Sequence, residues 1–81
     1  MDKRQNAIMN TYKELGISEP NHVKRIRERM GLTQDELAKR CKISKGEVSM
    51  VENFQRIPNH TVIIRISRGV GLPVHKVFYM K

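Results

Sequence analysis

The chain of 81 residues has no tryptophan and a single cysteine. One thiol cannot close an intrachain disulfide. A core must therefore come from Ile, Leu, Val and Met, in a domain near the size where one core only just suffices. No secretory signal or long apolar run is present, so the expectation is a reduced, soluble, cytoplasmic protein. His22, His60 and His75 are too scattered for a recognisable metal-ligand spacing. There is no nucleophile-and-base set and no glycine-rich phosphate loop. Glu47 and Glu52 read as a cap and an ion-pair partner. An enzyme, a metal and a cofactor are accordingly not expected. No internal repeat or low-complexity segment occurs, and nothing alternates as a strand would.

Acidic residues are scarce too, and they are unevenly placed. Sixteen Lys and Arg stand against eight Asp and Glu, giving a net charge of +8. Residues 1–20 sum to zero, whereas residues 22–45 carry eight cations and three anions. Beyond Glu52 there are five cations and no anion. So basic a domain expects a polyanionic partner, nucleic acid or an acidic membrane surface.

What the chain does have is a pair of helix-start signals in residues 33–53. Thr33 with Glu36, and Ser44 with Glu47, are both S/T-x-x-E capping boxes. Leu32 with Leu37 and Ile43 with Val48 supply the matching hydrophobic staples. Starts eleven residues apart leave the first helix about two turns, with a turn near Lys42. Leu37, Cys41, Ile43, Val48 and Val51 give each helix one buried side, and Ala38 is small where a second helix can cross closely. Capping and spacing alone predict a helix-turn-helix.

In chain order, Asp2 with Gln5 can cap a first helix to about Leu15, stopped by Gly16. Its apolar side is Ile8, Met9, Tyr12 and Leu15. It can dock on the domain or a partner, or remain a tail. A linker to Asn21 follows, and Ser18 or Asn21 can cap a helix over roughly Pro20 to Met30, ended by Gly31. Val23, Ile26 and Met30 face inward there, with Arg27 near the apolar stripe. After a loop from Asn53 to Pro58, Asn59 caps a helix whose inner side is Val62, Ile63, Ile66 and Val70. It stops at Gly69 or Gly71. Pro73 opens a last short helix, Val74 to about Met80. Residues 1–20 thus form an N-terminal extension, and residues 21–81 form the domain.

From Val23 to Phe78 this pattern resembles the helix-turn-helix family of lambdoid phage repressors and Cro, the XRE family. Carrying the resemblance are Gly31-Leu32-Thr33-Gln34, Glu36-Leu37-Ala38, Ile43-Ser44, Val48-Ser49 and Glu52-Asn53. Arg56, Pro58-Asn59, Arg65-Ile66, Val70-Gly71-Leu72 and Val77-Phe78 continue it. The resemblance implies an all-α, five-helix repressor-like domain, here with an extra N-terminal helix. It implies a dimeric transcriptional regulator of double-stranded DNA, most simply a repressor on an inverted-repeat operator. It places Ser44, Lys45, Gly46, Ser49 and Met50 against base edges, Lys45 as donor to guanine O6 and N7. It makes Gln34, Asn53 and Arg56 phosphate contacts, and Arg27 and Glu52 a structural ion pair. Val77, Phe78, Tyr79 and Met80 are the expected dimer interface, their inner members also completing the core. The N-terminal helix is a competing contact, or a surface for a protein partner. The rival expectation is an antitoxin-like or adaptor protein whose helical domain mainly holds another protein.

The sequence departs from the family pattern at Lys42 and Phe54, where relatives usually carry glycine. Side chains resist positive φ, so a slightly different bend is expected at one or both points, with Asn53 able to take the left-handed conformation instead of Phe54. Gly46 removes a side chain from a base-reading position, which thins direct readout.

Overall fold

The computed structural model describes residues 19–78. Five helices make up this part: α1 Val23–Arg29, α2 Gln34–Cys41, α3 Lys45–Glu52, α4 His60–Val70 and α5 Val74–Val77. Each of the three central helices starts on a side-chain cap. Thr33 accepts from the Glu36 N–H, Ser44 from the Glu47 N–H and Asn59 from the Val62 N–H. An oxygen acceptor on these residues satisfies a donor that has no partner within the helix.

α1 begins at Val23, three residues later than the sequence suggests. Asn21 explains the shift. Its Oδ1 accepts the Val23 N–H at 3.0 Å while its Nδ2 donates to the Val51 carbonyl at 3.1 Å. The buried Asn21 thereby caps α1 and ties it to the end of α3. The last helix is also shorter than expected. α5 stops at Val77, and Phe78 turns extended, pairing with Asn21 in an isolated antiparallel bridge. The His22 N–H donates to the Val77 carbonyl at 2.8 Å. That pairing closes the start of the described chain onto its end.

One hydrophobic cluster joins the helices: Val23, Leu37, Ala38, Cys41, Val48, Val51, Val62, Ile66, Val77 and Phe78 are all buried. Each fully buried aliphatic side chain contributes about 1.5–3 kcal/mol, so a domain this small depends on nearly all of them. Val77 is fully buried and Phe78 is 5 % exposed. These two are thus the inner members that complete the chain's own core, which leaves little of either for a twin. Tyr79, Met80 and the N-terminal helix expected before Gly16 lie outside the described residues.

α2 and α4 approach closely through small residues. A side chain at Gly69 would collide with the Cys41 sulfur, so Gly69 lies inside α4 as a contact point. Gly71, at φ 72°, ends the helix. All of α1 to α4 stop the same way. A residue at positive φ lets the following N–H reach back to a carbonyl of the last turn. These bonds run from Leu32 to Arg27, Ile43 to Ala38, Gln55 to Met50 and Leu72 to Ser67, at 2.9–3.1 Å. The left-handed residues are Gly31, Lys42, Phe54 and Gly71. The altered bend expected at Lys42 and Phe54 is thus not adopted, and Asn53 stays at φ −92°. Closing those hydrogen bonds outweighs the steric cost of a side chain at φ 59° and 57°.

Candidate nucleic-acid interface

α2 and α3 are two eight-residue helices joined by Lys42, Ile43 and Ser44. An α-helix with its side chains is about 10–12 Å across, which the DNA major groove admits. On α3 the positions Lys45, Gly46, Ser49 and Met50 fall on one side at helical spacing. Ser44, Lys45 and Gly46 are exposed, while Ser49 and Met50 are half-buried. Gly46 meets nothing but the Ser44 hydroxyl, 3.9 Å from where a Cβ would stand. The opposite side of α3 carries Val48, Val51 and Glu52, all buried. The helix is therefore anchored by one face and offers the other.

Glu52 is the anchor with the strongest bonds. Its side chain is 1 % exposed and that of Arg27 is 13 % exposed. Arg27 donates from Nε to Oε2 at 2.7 Å and from Nη2 to Oε1 at 3.1 Å. Its remaining Nη1 donates to the Leu32 carbonyl at 2.9 Å. The Glu52 hydrogen bond pushes the guanidinium pKa further up, against the opposing effect of burial. A two-pronged pair of this kind is among the stronger polar contacts a protein makes. The expected ion pair is present, and it joins α1 to the last turn of α3.

Gln34 belongs to the same network. Its Nε2 donates to Glu52 Oε1 at 3.1 Å, so the first residue of α2 braces the last residue of α3. Asn53 turns back on its own helix, donating to the Ser49 carbonyl at 2.9 Å and to the Ser49 hydroxyl at 3.3 Å. Arg56 is exposed in the loop after α3. Its Nη1 donates to both carboxylate oxygens of Glu47, at 2.7 and 2.9 Å. The expected second capping box is therefore only half built. Ser44 accepts the Glu47 N–H, but the Glu47 carboxylate goes to Arg56 in place of the Ser44 N–H.

Sequence reasoning named Asn21 as a cap but missed its bond to Val51, and it missed the Glu47–Arg56 bond altogether. Neither carries a periodic signal, because each partner comes from an irregular segment. Arg56 stands nine residues past Glu47, and Asn21 stands thirty before Val51. Only opposite charge on the two sides of the loop hints at the first of them.

Two short helices joined by a tight turn, the second held from behind and presenting Ser44, Lys45 and Gly46, form a helix-turn-helix. A helix-turn-helix family matches residues 23–77, which is most of the chain. The protein belongs to that family, the XRE or Cro/C1 type of transcription regulators, which is a DNA-binding family and not an enzyme family. A search among curated proteins gave no match. No described helix is long and apolar enough to cross a membrane.

Proposed function

We propose that this chain is a sequence-specific regulator of transcription, and a repressor, which reads double-stranded DNA through the outer face of α3. The observation that carries the reading is the exposed Ser44–Lys45–Gly46 start of α3, set on a helix whose other face is fixed by the Arg27–Glu52–Gln34 network. Lys45 donates to guanine in the major groove. Gly46 leaves the backbone open to close approach, and Ser49 and Met50 lie further along the same face. Gln34, Asn53 and Arg56 hold the phosphates on either side.

One such helix covers only a few base pairs. Two copies placed about one DNA turn apart on an inverted repeat supply the missing selectivity. With Val77 and Phe78 inside the core, Tyr79, Met80 and the N-terminal segment with Ile8, Tyr12 and Leu15 are the contacts proposed for the twin. Selection from random duplexes followed by footprinting tests the whole reading, and the expected product is a site with a dyad. Lys45→Ala should weaken the selected site by about 1–3 kcal/mol and relax one base position. Unchanged specific binding at fixed salt would remove Lys45 as a reader. Sedimentation with and without DNA tests the dimer, and a monomer in both conditions rules it out.

A further inference from the structure

Four cations gather away from the residues assigned above. Arg40, Lys42, Arg65 and Arg68 line a cleft of about 250 Å³ whose floor is Cys41 and Gly69, where α2 and α4 cross. The plainest account is that cations belong at helix C-termini, where the backbone carbonyls leave a partial negative charge. Part of the cluster does serve that purpose. Arg40 Nε donates to the Gly69 carbonyl at 2.9 Å, and Arg65 Nη1 donates to the Lys42 carbonyl at 3.1 Å.

Helix capping does not account for the rest. Each guanidinium has five N–H donors, so one capping bond leaves most of the fork unspent while fixing where it points. Among the described residues none of the four cations has a carboxylate partner. Glu19, Asp35, Glu47 and Glu52 pair elsewhere, with Arg25, Lys39, Arg56 and Arg27. Glu36 closes the Thr33 cap, and Glu28 lies exposed on α1, in no ion pair with the four. No acidic residue exists anywhere beyond Glu52.

We infer that this cleft binds a phosphate group, held between the Arg40 and Arg65 forks and the Lys42 and Arg68 charges. Guanidinium forks match phosphate oxygens in pairs. The cleft lies at the small end of ligand pockets, which suits one tetrahedral anion and not a length of polypeptide. The phosphate has two possible sources. Lys42 stands two residues before Ser44, the cap of α3, so a backbone phosphate flanking the DNA site is one. Free phosphate or a small phosphorylated molecule is the other. Only the first source rests on the DNA reading given above.

The test titrates the full chain with inorganic phosphate against chloride at equal ionic strength, following the backbone amides of Lys42, Arg68 and Gly69 by NMR. Saturable shifts at these positions with phosphate alone are expected. In the double variant Lys42→Gly and Arg68→Gln the half-saturating concentration should rise about tenfold or more, as loss of charge-assisted bonds requires. The single Lys42→Gly relieves backbone strain, so its weaker binding cannot be blamed on unfolding. Shifts that never saturate, that chloride reproduces, or that survive in the double variant overturn the proposal. The salt dependence of DNA binding then assigns the source. A slope shallower by up to about 2 in the double variant places a backbone phosphate in the cleft. An unchanged slope assigns the cleft to a free phosphorylated ligand. A wild type that binds no duplex at all sinks the DNA reading and leaves the phosphate titration standing.

Discussion

α2 and α3 start on the same four-residue signal and are secured in different ways. In α2 the Glu36 carboxylate folds back to accept the Thr33 N–H at 2.9 Å, so the helix start closes on itself. In α3 the equivalent carboxylate, Glu47, leaves its box and takes Arg56 of the following loop. At the far end of α3, Glu52 takes Arg27 of α1. At Glu47 the two-oxygen bond to the Arg56 guanidinium replaces the single bond that would complete the local box. The start of α2 closes on its own sequence, whereas the two glutamates of α3 are tied to arginines from outside the helix. The helix that presents residues to a partner is thus the one whose position the rest of the domain controls.

The largest test of this contrast removes the buried tether of α3. Arg27→Met leaves Glu52 buried with only the Gln34 amide, and breaking a buried pair in this way costs roughly 3–5 kcal/mol. Since Arg27 keeps 13 % of its side chain exposed, the lower end of that range applies. Replacing Arg27 and Glu52 together by apolar residues should cost much less, because no charge is stranded. Thermal unfolding of the three proteins decides it. Equal midpoints for the wild type and Arg27→Met would mean that Glu52 needs no arginine.

The exposed tether contributes less to the fold. The Arg56 side chain is 51 % exposed and that of Glu47 16 %, a setting in which an ion pair contributes at most about 1 kcal/mol. Yet Glu47 occupies only Nη1 of Arg56 and leaves Nε and Nη2 for a phosphate. Glu47→Gln deletes an anion from the helix proposed to read DNA, and simple charge counting expects tighter binding. If Glu47 holds Arg56 in place for the phosphate, the variant binds specific DNA more weakly at fixed salt. Tighter binding would show that Glu47 draws Arg56 away from the backbone.

The contrast also marks how far the chain could be read without coordinates. Thr33 with Glu36, the turn at Lys42, the Asn59 cap and the inward residues of α4 were legible, because each signal lies within one helix turn of its partner. Arg27 with Glu52 was legible only through resemblance to relatives, since 25 residues separate them. Glu47 with Arg56 was not legible, because the same carboxylate suits two partners and only the folded loop chooses. Val77 and Phe78 were expected in both the core and a dimer interface, and the core takes both. A four-residue helix shows too little periodicity to reveal that the chain turns extended at Phe78 and buries both. At Lys42 and Phe54 a sound steric rule met a larger force, the closing of a helix end. The base and phosphate contacts assigned to α3 and its flanks await the DNA experiments above.

Both ends of α3 adjoin a left-handed side chain, which gives a third test. Glycine at such a site removes about 1–2 kcal/mol of strain and returns about 0.5–1 kcal/mol through the greater freedom of the unfolded chain. Lys42→Gly, at an exposed position, should therefore stabilise the domain by about 0.5–1 kcal/mol. Phe54→Gly should gain less or lose, because Phe54 is half-buried and its ring contacts go with it. Denaturant midpoints measure both, and equal gains would show that the Phe54 ring contributes nothing.

The smallest effect belongs to the self-closed cap of α2, and its signature is a pH dependence. Accepting hydrogen bonds from the Thr33 backbone and side chain holds the Glu36 carboxyl below its ordinary pKa. A depressed folded pKa means that the unfolded chain takes up the proton first as the solution is acidified. The stabilisation is therefore complete at neutral pH. It declines as pH falls through the ordinary carboxylate range, and is gone below the lowered folded value. Glu36→Gln retains an oxygen acceptor for the Thr33 N–H but cannot ionise. The wild type should accordingly be the more stable of the two at neutral pH, and the two unfolding midpoints should converge in acid. A difference that stays constant from neutral to acid pH would mean that the box gains nothing from the charge of Glu36, and that its geometry alone starts the helix.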